Sequence, residues 1–457
     1  MLLLGMVGGG CGYSLKRTMA QLFNDQLSIK SWSYKTTKWC AGGLPMTSQW
    51  DRLIADKTYY VLLQNNYELR ATGGFAGSFV RVKMTPAGIK EIFVQDIYVP
   101  DGKLPGHVEP PYPIQEAFGQ GWWKLRDANW AVDFPRAASD MRWFLEQGGE
   151  RPVDAIAAVN MSLLKKILEI TGPVEVTTYG KQVTAKNFYS LAQTEAETDF
   201  VPGTTAKRDF LGAAGVAVLE EMKNLKLIKL MKLTKLFKEQ MDSGEIVVWI
   251  KETEIEKEIE KNRWDGGLGQ KPSLYDYIYM VESNLGANKA NCCVERDMRY
   301  EIGKNSRLII EWKNKNEFSG PRPPVFWGGD YVNYVRIINP SMSKIQSITV
   351  GGKELRPSTK EDFKLPTSLR SGIDWGMYNI EDYGDYKIAG FWVLVPAQAS
   401  AAAELKYEIG DMNKVDDNYR LIVRKQPGVE PYPFTLTING EEKIKTLIDR
   451  ENKFVVN

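Results

Sequence analysis

Two stretches of this chain hold residue types that can do chemistry. The first is Glu68, Arg70, Thr72, Gly73 and Gly74 in ELRATGGFAGS. Glycines let backbone N–H groups approach a phosphate, and an arginine can clamp it bidentately. The loop lacks the Lys-Ser/Thr of a P-loop, and a strand rather than a helix follows it, so ordinary nucleotide binding is not expected. The same residues also suit a strand–turn–strand corner that needs glycine for its backbone angles. The second stretch is Arg126, Asp127, Asn129 and Asp133, interleaved with Trp122, Trp123, Trp130 and Phe134. Aromatic faces stack on the apolar faces of sugars, while charged forks fix hydroxyls or phosphate. The structural alternative is an Arg–Asp pair locking a loop over the core, with Asp133 serving as a helix cap. Asp96, at the end of a strand, is a third candidate. Lys207 and Arg208 open a helix, where the dipole does not favour cations, so an anion-binding role stays in view. Loops leaving neighbouring strand ends converge on ligands in layered α/β domains. Arg126 and Asp127 are therefore expected at the same cavity mouth as Arg70.

Composition removes several classes of function. The 457 residues carry a net charge of +2, which gives no basic field for nucleic acid. A single histidine, His107, excludes His-rich zinc sites, and a Ser-His-Asp triad would have to use it. No metal site is expected. The four cysteines, Cys11, Cys40, Cys292 and Cys293, are too few for a disulfide scaffold. Cys292 and Cys293 are expected to stay unbridged, since neighbouring side chains at a strand start point to opposite faces. No apolar run reaches the roughly 18 residues of a membrane span. The start MLLLGMV lacks a basic region before it. Cys11 after three glycines resembles a lipoprotein cleavage site weakly, and the preferred reading is a chain whose N-terminal anchor is missing.

The elements that position these residues follow from periodicity. Residues 58–65, 77–84 and 89–99 read as strands, the last two joined at Pro86-Ala87-Gly88. The Pro-rich stretch 100–135 is a long loop whose tryptophans argue against disorder. A helix runs from about Pro135 to Glu146, then a strand over 153–159, a helix capped by Asn160, and a strand at VEVTTYG. Strand–helix–strand is the grammar of an α/β layer. The stretch 207–241 is helical, but its lysines recur every three residues from Lys223 to Lys238, which spirals around a 3.6-residue helix. A break near Leu227 is therefore expected, and the basic element is either a solvated face or one lying on anionic lipid. Strands at 245–250 and 275–283 flank a short charged helix. After NLGANKAN, nine candidate strands (294–302, 306–314, 332–338, 346–350, 386–396, 402–409, 418–425, 433–438 and 441–447) suggest a β-sandwich. The division is an unassigned segment 1–50, an α/β domain of layered mixed sheet and helices over 51–290, and an all-β sandwich over 291–457. Proteolysis near 285–292 or within 318–330 should leave a folded C-terminal piece.

The segments YVLLQNNYELRATGGFAGSF, LRDANWAVDFP, ILEITGPVEV, NLGANKAN, GGDYVNYVRIINP and VRKQPG together resemble the bacterial domain-of-unknown-function family 4012. The resemblance implies an uncharacterised extracytoplasmic envelope protein, usually tethered by an N-terminal transmembrane helix. The order of elements also resembles the LytR-CpsA-Psr phosphotransferases, which move glycopolymers from a polyprenyl-pyrophosphate carrier. Where that family has Arg-Ser-Asp-Thr, this chain has Arg70-Ala71-Thr72-Gly73, which keeps the arginine and loses the acid. Where it has Pro-Arg-Asp-Thr, this chain has Val94-Gln95-Asp96-Ile97, which keeps the acid and loses the arginine. Lys207-Arg208 resembles its helix opening with basic residues.

Two readings follow. In one, the α/β domain binds a polyprenyl-phosphate or glycan-phosphate as a divergent transferase, with a cell-wall glycopolymer or lipid-linked glycan as partner. Only that reading calls for a divalent ion such as Mg, which would neutralise pyrophosphate alongside the arginines. In the other, the domain is a degenerate relic in a non-enzymatic scaffold that contacts envelope proteins through the β-sandwich.

Overall fold

The computed structural model describes residues 2–42, 46–119, 121–197, 206–223, 225–269, 275–303, 306–320, 328–363, 372–409 and 418–456. They form two compact units, each assembled from separate segments. The α/β unit takes residues 1–64, 76–105 and 133–267, and the β unit takes 65–75, 106–132 and 268–457.

In the α/β unit, strands β1 (Lys57–Asn65), β2 (Phe75–Thr85), β3 (Gly88–Asp96) and β4 (Ala155–Asn160) are followed by a separate hairpin, β5 (Val174–Val176) and β6 (Lys181–Val183), and then by β7 (Ile246–Ile250). The main sheet runs β3-β2-β1-β4-β7, with β1 and β4 parallel and β7 antiparallel to β4. VEVTTYG is therefore not a strand of the layer; it belongs to a two-stranded flap. The helix Phe134–Gln147 buries Phe134, Ala137, Ala138, Met141, Phe144 and Leu145, the recurrence that places one face of a helix on a core. Asp133 occupies its N-cap position, but its side chain makes no capping bond, and neither does Asn160 ahead of the helix Met161–Thr171. Asn160 instead donates to Glu245 at 3.1 Å. The expected break is present: one helix ends at Lys223 and the next begins at Leu227. The first fifty residues belong to this unit, with helices Leu2–Phe23 and Trp32–Cys40 tied by a Cys11–Cys40 disulfide.

The β unit packs two seven-stranded sheets. Its strands are β8 (Asp276–Asn284), β9 (Val294–Ile302), β10 (Ser306–Asn314), β11 (Tyr331–Pro340), β12 (Lys344–Val350), β13 (Lys353–Glu354), β14 (Arg356–Pro357), β15 (Met377–Tyr383), β16 (Tyr386–Val395), β17 (Ser400–Glu408), β18 (Tyr419–Arg424), β19 (Tyr432–Ile438), β20 (Glu441–Ile448) and β21 (Asn452–Val456). One sheet has the order β13-β12-β17-β10-β9-β19-β20 and the other β14-β15-β16-β11-β8-β18-β21. Asn439 and Gly440, both at positive φ, make the β19–β20 turn. Between the sheets lies a core that includes Trp312, Tyr331, Phe391 and Phe434.

The boundary expected at 290 shifts. β8 is a central strand of the sandwich, pairing with β11 and β18. All nine of its residues are buried. Ile278 and Met280 face the inter-sheet core, while Tyr277, Tyr279 and Val281 pack with Ala71 and Val132 from the two earlier segments. A fragment beginning at 291 would lose that strand, so the folded C-terminal piece expected from cleavage at 285–292 does not follow. Part of the other expected cleavage site, 321–327, lies outside the described residues.

Cys292 and Cys293 are joined as a vicinal disulfide, against expectation. They close a short 3-10 turn, Ala290–Cys293, ahead of β9 rather than starting the strand, so the alternation that separates neighbouring side chains does not apply.

Candidate functional site

Arg70 is the centre of the charged loop, and it is closed off. It is 3% exposed. Its Nη1 donates to the carbonyls of Leu69 and Asn284 at 3.2 and 2.5 Å, and Nη2 donates to Glu68 at 3.0 Å. Asp127 stands 3.8 Å away, itself 3.7 Å from Arg126 Nε. Burial pushes the Glu68 and Asp127 carboxyls upward from the usual carboxylate range, and the guanidinium of Arg70 opposes that push in both. The two acids already face Arg70, a donor set that does not suit a divalent ion there. Among the described residues, no group of three or more metal-ligating side chains occurs.

The rest of the loop is sewn to the β unit. Gln426 donates to the Arg70 carbonyl at 2.8 Å and exchanges bonds with the backbone of Glu282 in β8. Asn129, 1% exposed, donates to Thr72 and to the Gly74 carbonyl at 3.0 and 2.9 Å. A Cβ on Gly74 would lie 2.5 Å from the Asn65 carbonyl, so this glycine answers to close packing rather than to a phosphate.

The structure thus brings Arg70, Arg126 and Asp127 together. Asp96, Asp133, Lys207 and Arg208 belong to the α/β unit. Asp96 accepts from Tyr98 N at 2.8 Å, a turn-making role. Lys207 and Arg208 lie in the helix Ala206–Lys223, and their side chains are outside the described residues.

Several further buried charges carry no signal that the sequence reading used, among them Glu282, Arg296 and Arg336. Glu282 accepts from Trp312 Nε1 at 2.7 Å, Asn333 Nδ2 at 2.8 Å and Tyr331 hydroxyl at 2.9 Å, and it pairs with Arg296. The signal was available: alternation puts Glu282 on the same face as Ile278 and Met280, where a lone acid needs a partner. Arg336, 6% exposed, lies 4.1 Å over the Trp130 ring, donates to the Trp130 carbonyl at 2.8 Å and reaches Ser283 at 3.4 Å. Burial pulls its pKa down to about 10. No carboxylate among the described residues forms an ion pair with it. Trp130 stacks on Tyr334, which meets Trp392, which meets Trp375, and Trp375 is 40% exposed.

These features define a two-unit protein in which a mixed α/β sheet accompanies a β-sandwich with buried charges in its loops and in its central strands. Residues 55–196 match the family described as Protein of unknown function (DUF4012), in agreement with the family that the sequence motifs indicate. No curated protein matches. Among solved structures, the chain is similar at 13% identity to the Lin1025 protein from Listeria innocua, covering 36% of this chain and 64% of that one, with a TM-score of 0.23. It is likewise similar to protein gbs0355 from Streptococcus agalactiae at 13% identity, covering 47% and 75%, with a TM-score of 0.30. The match thus spans just under two thirds of the Listeria protein's length.

Proposed function

We propose that this chain is a non-catalytic scaffold of the bacterial cell envelope. One observation carries the reading: the arginine on which a transferase mechanism would rest is consumed by Glu68, Asp127 and two backbone carbonyls. A transition-state clamp needs donors aimed at the reacting group, and only Nε of Arg70 is left without a partner. A second reading, recognition of an anionic glycan, is favoured by Arg336, a buried cation with no ion pair among the described residues, which lies beneath an aromatic row ending at exposed Trp375. One experiment separates these from a transferase. The chain is mixed with a polyprenyl-phosphate-linked acidic glycan and Mg, and both retention and consumption are measured. The scaffold reading expects no consumption. Glycan recognition adds retention that is lost in Arg336→Met and kept in Arg126→Ala. Turnover abolished by Asp96→Asn or Arg208→Ala would install the transferase in place of the scaffold.

An extracytoplasmic place at the membrane surface fits the same proposal. The Cys11–Cys40 bond suits an oxidising compartment. On the helix Trp32–Cys40, Trp32, Lys35 and Trp39 recur at i, i+3 and i+7, and the two tryptophans are 60% and 70% exposed. A Cβ on Gly12 would lie 2.2 Å from Leu227, so the first helix packs against the start of the helix Leu227–Asp242. There Ile228 and Met231 are 71% and 60% exposed beside Lys232 and Lys235. Exposed aromatics and aliphatics ringed by lysines match an anionic bilayer interface. No helix among the described residues is long and apolar enough to cross a membrane. Sedimentation with phosphatidylglycerol vesicles should fall at least about tenfold in a Trp39→Ser, Met231→Ser variant. Equal sedimentation of both proteins would remove the surface.

A further inference from the structure

The vicinal pair Cys292–Cys293 lies in the wall of an open cavity of about 1000 Å³ in the β unit, together with Lys313, Lys315, Glu430 and Tyr432. Cys292 also lines a second cavity of about 170 Å³ beside Asn66, Tyr67 and Leu69. Both cysteines are half-buried, so a small molecule in the larger cavity can reach the sulfurs. The surroundings suit a thiol as well as a disulfide. Cys292 Sγ stands 3.3 Å from Asn316 Oδ1. A disulfide sulfur has no proton to give that oxygen, whereas a thiol can donate to it. Asn316 is held in place for this by its amide, which donates to the Ala290 carbonyl at 2.9 Å and to Asn314 Oδ1 at 2.6 Å.

We propose that Cys292–Cys293 is a reversible thiol–disulfide site, and that the loop bearing Arg70 senses its state. The co-reactant is a small dithiol entering the cavity. Its thiolate attacks one sulfur, forming a mixed disulfide and releasing the other cysteine as a thiolate. The reductant's second thiol then displaces the first cysteine. Two electrons and two protons pass to the protein, Cys292 and Cys293 become thiols, and the dithiol becomes a disulfide. The link to the loop is one residue long. Asn291 N donates to the Tyr67 carbonyl at 3.0 Å, and Asn291 Oδ1 accepts from Leu69 N at 3.1 Å and from Asn284 Nδ2 at 3.0 Å. Asn284 in turn supplies a carbonyl to Arg70. Opening the ring frees each cysteine side chain to take its own rotamer and loosens the turn that presents Asn291.

The test uses the whole folded chain. It is titrated with dithiothreitol without denaturant, alkylated with iodoacetamide and mapped by peptide mass spectrometry. Amide hydrogen exchange is followed in parallel. The expected result is no label on Cys292 and Cys293 before reduction, label on both after it, and re-formation of the bond when dithiothreitol is replaced by glutathione disulfide, which takes up the two electrons and two protons and leaves as two glutathione thiols. Exchange at the Leu69 and Asn291 amides should rise at least about fivefold on reduction. A Cys292→Ser, Cys293→Ser variant should show no redox dependence there. Label on both cysteines before reduction, or none short of unfolding, overturns the site. Unchanged exchange at Leu69 and Asn291 overturns its connection to the loop.

Discussion

Arg70→Ala should cost the β unit about 3–5 kcal/mol, because it takes from two buried carboxyls the guanidinium they share, leaving Asp127 with Arg126 alone, and leaves the Asn284 carbonyl without its donor. The loss should depend on pH in a stated direction. Glu68 and Asp127 already have raised folded-state pKa values through burial, opposed by Arg70, and removing the guanidinium raises them further. A carboxyl with a raised folded pKa contributes stability that is fully present below its unfolded pKa and is lost as pH rises through the folded value. The variant should therefore regain stability on acidification and be weaker at a mildly alkaline pH than at a mildly acidic one. Urea denaturation at both pH values, followed by near-ultraviolet circular dichroism, measures this. A small, pH-independent loss would mean that water replaces the guanidinium and that the loop is open enough to admit a ligand.

Glu282→Ala should be at least as damaging. It strands the Arg296 guanidinium in the inter-sheet core and removes the acceptor shared by Trp312, Tyr331 and Asn333. A buried charge deprived of its partner costs about 3–5 kcal/mol, whereas replacing the whole pair by apolar side chains is often neutral. The double variant Glu282→Leu, Arg296→Met should therefore recover more than half of the loss. A double variant as unstable as the single one would assign the damage to Trp312, Tyr331 and Asn333 rather than to the stranded charge.

Alternation and turn chemistry made most of the strands legible, and the helix break at Leu227 followed from the mismatch between lysine spacing and helical pitch. Five strands are not legible in the sequence: β6, β13 and β14 span only two or three residues, too few to alternate, and the two longer ones fail for another physical reason. β15, MYNIEDY, buries only Met377 and Tyr378 and carries two acids in its exposed half, and β21 is a half-exposed edge strand, so neither has an apolar alternation to read. β8 was recognised as a strand but placed in the wrong unit, because a strand's own sequence does not say which sheet it pairs with. Loops at strand ends suggest one cavity mouth for Arg70, Arg126 and Asp127; the three lie near one another, but Arg70 and Asp127 are buried rather than facing a cavity. The closure by Asn284 and Gln426 was not legible, since those residues lie more than two hundred positions away from Arg70. Arg336 looked like any charge in a strand, and only the packing of Trp130 over it reveals a buried cation.

The interleaving of segments bears on how the protein is made. The Gln426 amide that holds the Arg70 carbonyl is 356 residues downstream of it. At ordinary rates of synthesis, roughly 20–70 s separate the appearance of the two residues. During that interval the segments 65–75 and 106–132 have emerged without the strands they cover, so Trp123, Trp130 and the buried acids must wait, exposed, for the last third of the chain. Truncated or stalled products should therefore be unusually prone to aggregate, and a binding factor that shields aromatic segments would have its clearest substrate in this interval.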